Sequence, residues 1–221
     1  MIQAVEQYHP DALILLGDIQ AKRPLEIELA SILEKTDIWF IHGNHDTESD
    51  EDYDHLFGSS LCERNLHNRV VDIAGYRIAG LGGVFRGQVW MPPTEARFQT
   101  SEEFCAKGGK GNLWRGGLVR KHRSTIFPGE YEQLSRQQAD ILITHEAPGC
   151  HPHGIPHIDM LARSMGVTHA FHGHHHDRID YRDQFTELNF KAYGVGFCGI
   201  TDQHGNVIRS GDFDHEPLIA R

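Results

Sequence analysis

Ile38-Trp39-Phe40-Ile41-His42-Gly43-Asn44-His45-Asp46 is the stretch whose reading decides the fold. An apolar run of strand length stops abruptly in a cluster of polar groups that can bind a metal. Three other places repeat the pattern. Ala12–Leu16 runs into Gly17-Asp18, and Ile141–Thr144 runs into His145. Thr168–Phe171 runs through His172 into Gly173-His174-His175-His176-Asp177. In an open α/β sheet, ligands bind in the crevice beyond the carboxyl ends of the strands. Residues far apart in sequence, each one step past a strand end, can therefore meet at one rim. Asp, Asn and His meeting there make a mixed oxygen and nitrogen site suited to a divalent transition metal.

Working outward, Ile2, Val5 and Tyr8 follow a helical spacing that His9-Pro10-Asp11 stops before the first strand. Pro24–Lys35 reads as a second helix, with Leu25, Leu29, Ile32 and Leu33 on one face and Pro24 at its first position. The acidic stretch Glu48-Ser49-Asp50-Glu51-Asp52 reads as a solvated loop or a helix start. Arg69–Ile73 and Tyr76–Leu81 flank Ala74-Gly75 as a hairpin. From Val84 to Pro128 no helical or strand period survives, and long irregular segments in compact domains are functional loops or disordered. Trp90, Trp114, Phe98 and Phe104 are unusual in disordered chain, so residues 84–128 are expected to form a loop over the site. Glu130–Asp140 and Ile158–Met165 read as helices, the second closed by Gly166. Ala192–Ile200 and Asn206–Ile208 read as strands about the turn Asp202–Gly205.

The 221 residues fit one domain, 1–221, with 39% apolar and 24% charged residues as in ordinary globular proteins. Seventeen histidines are many for this length and suit a metal site. A formal charge of −10 argues against broad nucleic-acid binding and against an anionic membrane surface. A bound dication, though, can reverse the local field in a cleft. Cys62, Cys105, Cys150 and Cys198 lie far apart, which is neither a disulfide framework nor a zinc-ribbon pattern. Met1–Gln7 lacks the features of a signal peptide, and no apolar run nears the ~20 residues of a membrane span. The expectation is a soluble cytoplasmic protein of undetermined oligomeric state.

Gly17-Asp18, Gly43-Asn44-His45-Asp46, His145 and Gly173-His174-His175-His176 match, in order, the motifs of the calcineurin-like metallophosphoesterase superfamily, and the resemblance runs along most of the chain. It implies a four-layer α/β/β/α sandwich of two mixed β-sheets flanked by helices. It also implies two divalent ions, manganese, iron or zinc, ~3.5–4 Å apart, clamping a phosphate and activating a water. By similarity Asp18 bridges the two ions, Asn44, His145 and His174 complete the first site, and His176 serves the second, with His175 turned elsewhere. His45 resembles the histidine that protonates the leaving alkoxide, and Asp46 would hydrogen-bond and orient its ring. The implied activity is hydrolysis of a phosphomonoester or phosphodiester through a metal-bound hydroxide, with a small phosphorylated molecule as substrate. Ile19-Gln20-Ala21-Lys22-Arg23 stands where protein phosphatases and diadenosine-tetraphosphate hydrolases carry Val-Asp-Arg-Gly, which sets those branches aside.

The family opens with a strand ending in Asp-x-His that supplies two further ligands of the second metal, and no such motif precedes Gly17-Asp18. The expectation is therefore a sheet lacking its first strand, with unpaired backbone and bare apolar faces, in an N-terminally shortened enzyme. Two other readings stay open: a one-metal or metal-free pseudoenzyme acting as a scaffold, and a histidine-rich metal store. Lys121-His122-Arg123-Ser124-Thr125 could grip phosphate oxygens, although such a charge run is more often a solvated loop. His151, Pro152, His153, Gly154 and His157 could line the mouth of the site or form a surface loop.

Overall fold

The structure, a computed structural model, describes residues 1–108 and 113–214. Residues 109–112 of the expected irregular segment and residues 215–221 of the expected single domain lie outside the described residues. Nine strands are described: β1 (Ala12–Leu16), β2 (Asp37–Ile41), β3 (Arg69–Ile73), β4 (Tyr76–Leu81), β5 (Ile141–Thr144), β6 (His169–His172), β7 (Lys191–Gly194), β8 (Ile200–Thr201) and β9 (Val207–Arg209). The helices are α1 (Ile2–Tyr8), α2 (Leu25–Glu28), α3 (Asp50–Phe57), α4 (Ser101–Gly108), α5 (Pro128–Ser135), α6 (Pro156–Met165) and α7 (Phe185–Leu188).

Strand alternation explains the layering. In β2, Ile38 and Phe40 turn to one face, where they pack with Val5, Leu25, Leu29, Ile32 and Leu56 of the α1–α3 side. Trp39 and Ile41 turn to the other and meet Ile73, Ile78, Ile141, Ile143 and Phe171 of the larger sheet. The far face of that sheet, carrying Ala79, Leu142 and Ala170, packs on Leu134 of α5 and on Ile158, Leu161 and Met165 of α6. Helices, sheet, sheet and helices thus stack in that order, as the period of 2 along each strand requires.

The larger sheet runs β3-β4-β5-β6-β7, antiparallel between β3 and β4 and parallel thereafter. The smaller one departs from expectation. Only β1 and β2 form it among the described residues, and they are parallel, so it is not a mixed sheet. All five apolar residues of β1 are half-exposed. Strands β8 and β9 make a separate antiparallel pair.

Four local readings change, the first being the strand expected over Ala192–Ile200, which breaks into β7 at the edge of the larger sheet and β8 paired with β9. The helix expected over Pro24–Lys35 ends at Glu28, because the chain then closes on short turns, Ile32 N–H to Leu29 C=O and Lys35 N–H to Ile32 C=O. These turns keep Leu29 and Ile32 buried without a full helix. The helix expected over Glu130–Asp140 spans Pro128–Ser135 instead, opened by Pro128 and by the Glu130 carboxylate accepting the Phe127 N–H. Finally, the segment from Val84 to Pro128 is no loose cover. Phe85, Val89, Trp90, Ile126 and Phe127 belong to the core, and α4 lies within it. The acidic stretch starts α3, where Ser49 and Asp52 cap each other's backbone N–H.

Candidate metal centre

The four polar strand ends do meet. Asp18 follows β1, Asn44 follows β2, His145 follows β5, and His174 lies two residues beyond β6, so the centre bridges the rims of both sheets. Gly17 turns the chain with φ 91°, and a side chain there would strike His145 Nδ1 at 2.5 Å, which explains glycine before Asp18. Asp18 and His174 are themselves left-handed, with φ 50° and 66°. Such strained backbone at a site is characteristic of groups held in place for a task.

His145 is the hub. It is 1% exposed and its Nδ1 stands 2.8 Å from the Leu16 carbonyl, which can only accept, so Nδ1 carries a proton. In the neutral ring Nε2 is then a bare lone pair. Around Nε2 lie Asp18 Oδ2 at 3.2 Å, Asn44 Oδ1 at 3.3 Å and His174 Nδ1 at 3.1 Å. Asp18 Oδ2 is buried and has no hydrogen-bond partner. Four electron-rich atoms crowded together repel one another unless a cation or proton sits among them. Bonds of ~2.1 Å to one ion imply ligand–ligand edges of roughly 3.0–3.4 Å, the spacing seen here. The residues fit a divalent ion.

Protonation states agree. Burial would raise the Asp18 pKa, but the His145 ring and the His45 amide outweigh it and hold it below the usual carboxylate value. Burial lowers His174 to about 3, leaving it a neutral ligand at pH 7. For His145, burial favours the neutral ring, yet Asp18 outweighs it and raises the pKa, so a proton competes with the ion for this nitrogen.

Beside the hub, His45 Nε2 is 3.9 Å from Asp18 Oδ2, and the ring is partly open to solvent. Its Nδ1 is 2.8 Å from Glu48 Oε1. That hydrogen bond, with burial opposing and Asp18 helping, raises the His45 pKa above 6.5. The expected orienting role of Asp46 is corrected. Asp46 is 1% exposed, and its two oxygens accept the backbone N–H of Gln20 at 2.9 Å and of Gly43 at 2.8 Å. It ties the loop after β1 to the loop after β2, and burial pushes its pKa up to about 6. Glu48, not Asp46, meets the ring, because the short 3-10 turn His45–Thr47 carries it back over Nδ1.

His176, expected to serve the second metal, lies four residues beyond β6. It has φ 62°, and its ring packs 5.1 Å from Phe197. His175, expected to turn elsewhere, lies outside the Asp18–His145–His174 group and beside Glu146 and His174 in another group of potential ligands. Lys121–Thr125 is neither a solvated loop nor a free phosphate grip. His122, Ser124 and Thr125 are buried, and Ser124 C=O, Ser124 Oγ and Thr125 Oγ1 all accept from the Arg86 guanidinium. Burial lowers the Arg86 pKa while Glu146, Glu48 and Asp18 raise it, so this cation stands among the site's carboxylates. His151 is also buried, with Nε2 3.3 Å from Asp177, while His157 packs edge-on against Trp90. Glu48, Arg86 and Glu146 escape a reading by motif, since none sits at a strand end beside glycine; only the position of Glu146 directly after His145 hinted at it.

The comparisons with known proteins bear on family and fold. A profile described as calcineurin-like phosphoesterase matches residues 1–178. An uncharacterised protein of Haemophilus influenzae is 49% identical over 197 residues, covering 89% of this chain and 85% of that protein. Among solved structures, TT1561 of Thermus thermophilus superposes with a TM-score of 0.56 at 15% identity, covering 95% of this chain and 90% of that one, which speaks to fold alone.

Proposed function

Because this chain belongs to the calcineurin-like phosphoesterase family, we propose that it is a metal-dependent hydrolase of a small phosphate ester, with Asp18, Asn44, His145 and His174 holding a divalent ion. A divalent ion there supplies Lewis-acid polarisation of a phosphoryl oxygen and a water of lowered pKa. The observation that carries the reading is the convergence of three acceptor atoms within 3.1–3.3 Å of His145 Nε2. The donor set, two oxygens and two imidazole nitrogens, suits manganese, iron or zinc.

The chain's own residues do the rest. His45 holds a proton on Nδ1 against Glu48, and its Nε2 side, open to solvent beside Asp18, offers a second proton to the departing alkoxide. The Glu48 hydrogen bond raises the His45 pKa, which favours keeping that proton on the ring. Asp46 fixes the two ligand-bearing loops relative to each other, and Arg86 offsets part of the negative charge of an arriving phosphate. Both a phosphomonoester and a phosphodiester fit this chemistry. The compartment proposed is the cytoplasm. Among the described residues no helix is long and apolar enough to cross a membrane.

The test is turnover of a phosphomonoester and a phosphodiester with alkyl leaving groups by metal-loaded protein, with His45→Ala as the variant. The proposal expects a rate loss of roughly 10²–10⁴-fold with metal still bound. A scaffold is the second reading, kept open because no Asp-x-His motif precedes Gly17-Asp18. It expects no turnover by either protein and an unchanged partner interaction in His45→Ala.

A further inference from the structure

Where α3, α4 and the 3-10 turn Arg120–Ser124 meet, the chain encloses a cavity of about 270 Å³, and none of the residues lining it is a ligand of the hub. Its walls are apolar. Tyr53 and Phe57 sit one turn apart on α3, so their rings stack, centroids 4.6 Å apart and planes 22° apart. Leu118 and the buried Phe127 add to them. Ligand pockets run from about 300 Å³ upward, so this one suits a single flat ring and not a large molecule.

Two donors at this cavity lack an acceptor. Arg123 is the first. Arg115 and Arg120 of the same segment pair with Asp54 and Asp50, yet Arg123 makes no ion pair among the described residues. Its Nε donates to the Leu118 carbonyl at 3.0 Å and its Nη1 to the Tyr53 hydroxyl at 2.9 Å, which fixes the guanidinium 5.2 Å from the Tyr53 ring centroid. Nη2 is left over. A side chain at Gly117 would come within 3.1 Å of it, and glycine there keeps it clear. The second donor is on His122, only 5% exposed. Thr125 Oγ1 already accepts from Arg86, so its hydroxyl hydrogen turns to His122 Nδ1, 3.0 Å away. The proton of the neutral ring then sits on Nε2, which makes no hydrogen bond among the described residues. A buried N–H without an acceptor costs free energy, and a guanidinium edge matches a carboxylate. Glu130, the one carboxylate lining the cavity, is engaged elsewhere: it accepts the Phe127 N–H at 3.0 Å and stands 3.5 Å from His67 Nε2.

We propose that this cavity binds a small aromatic carboxylate, its ring against Tyr53, Phe57 and Phe127 and its anionic group at Arg123 Nη2 and His122 Nε2. The net charge of −10 opposes an anion at long range, but salt screens charges beyond about 8 Å and the unpaired cation is at contact. The site needs binding and not hydrolysis, so a protein that turns over no ester still reports on it.

Zinc-loaded, ¹⁵N-labelled protein is titrated with benzoate, and with benzamide as its uncharged counterpart, while amide shifts are followed by NMR. Benzoate is expected to give saturable shifts at the amides of Tyr53, Arg123 and Thr125, and benzamide to bind at least roughly 10-fold more weakly, the loss expected for one charge-assisted hydrogen bond. Arg123→Gln is expected to weaken benzoate by a similar factor. Should that variant misfold by circular dichroism, Ser101→Trp decides the matter, because it fills the cavity from α4 without touching the bonds of Arg123, and it is expected to abolish the shifts. No saturable shift at those amides overturns the proposal. So does an equal affinity for benzamide, or an unchanged benzoate affinity in Ser101→Trp. Shifts confined to the loops of Asn44 and His145 mean that benzoate ligates only the zinc ion, and they overturn it too.

Discussion

Gly43→Ala tests whether the hub is as tightly built as its distances imply. Gly43 is not among the residues with positive φ, so alanine suits its backbone and any effect arises from the added methyl. That methyl would lie 2.5 Å from the Asp18 amide nitrogen and 2.6 Å from His145 Cε1, and it would also overlap Asp18 Oδ1. Carbon atoms approach no closer than about 3.5 Å without repulsion, so the His145 ring must retreat by roughly 0.9 Å or Asp18 must swing away. Neither is cheap, because His145 is held by Leu16 and Asp18 by the His45 N–H at 2.8 Å. Overpacking of this kind costs about 1–3 kcal/mol in folding. A misplacement near 1 Å in a metal ligand costs on the order of 100-fold in rate. The assay is metal retained through dialysis against a weak chelator, beside the urea midpoint of the metal-free protein. Gly87→Ala is the control, since its nearest atom, on Met91, is 4.0 Å away. Wild-type metal retention and an unchanged midpoint in Gly43→Ala would refute the claim that these loops are packed to contact around the ligands.

Asp46→Ala leaves the buried Gly43 N–H without an acceptor and frees the part-buried Gln20 N–H, and should cost about 1–3 kcal/mol by denaturant titration; no loss would mean water replaces the carboxylate. Glu48→Gln removes the main group that raises the His45 pKa. A general acid works only while protonated, so the alkaline limb of the pH–rate profile should move to lower pH, and a limb that stays put excludes His45 as that acid. His122 is held near pKa 4 by burial, with Arg86 and Lys121 adding to it. Its folded pKa lies below the unfolded value, so the unfolded chain binds the extra proton and stability falls as pH drops from about 6.5 toward 4. Between pH 7 and pH 5 this amounts to as much as about 2 kcal/mol, and His122→Gln should flatten that slope in denaturation curves at the two pH values.

Much of the centre was legible because its residues sit at strand ends beside glycine. Asp18, Asn44, His145 and His174 each follow a short apolar run, and a strand brings the next residue to the rim regardless of what packs around it. Asp46 was recognised but its partners were not, since a carboxylate one residue from His45 can face the ring or the backbone, and only the path of the turn decides. Glu48 lies three residues from His45 in an acidic stretch that reads as solvent-facing. Arg86 depends on Ser124 and Thr125, distant in sequence and brought close only when residues 84–128 fold into the core. The helices expected over Pro24–Lys35 and Glu130–Asp140 were overlong because an apolar face persists through turns as well as through helix.

By itself the sequence marked most of the strands, their alternation and the polar residues at their ends, because the period of 2 and the turn chemistry after each strand are local properties of the chain. It also determined the family, through motifs whose order survives in a linear reading. The tertiary structure alone decided which neighbours each side chain meets. Whether His175 turns outward or stacks on His151, whether Glu146 faces solvent or Phe85, and whether β1 has one neighbour or two all depend on contacts between segments remote in sequence. Those contacts are set by packing and desolvation across the whole domain, for which no local pattern in the chain carries a signal.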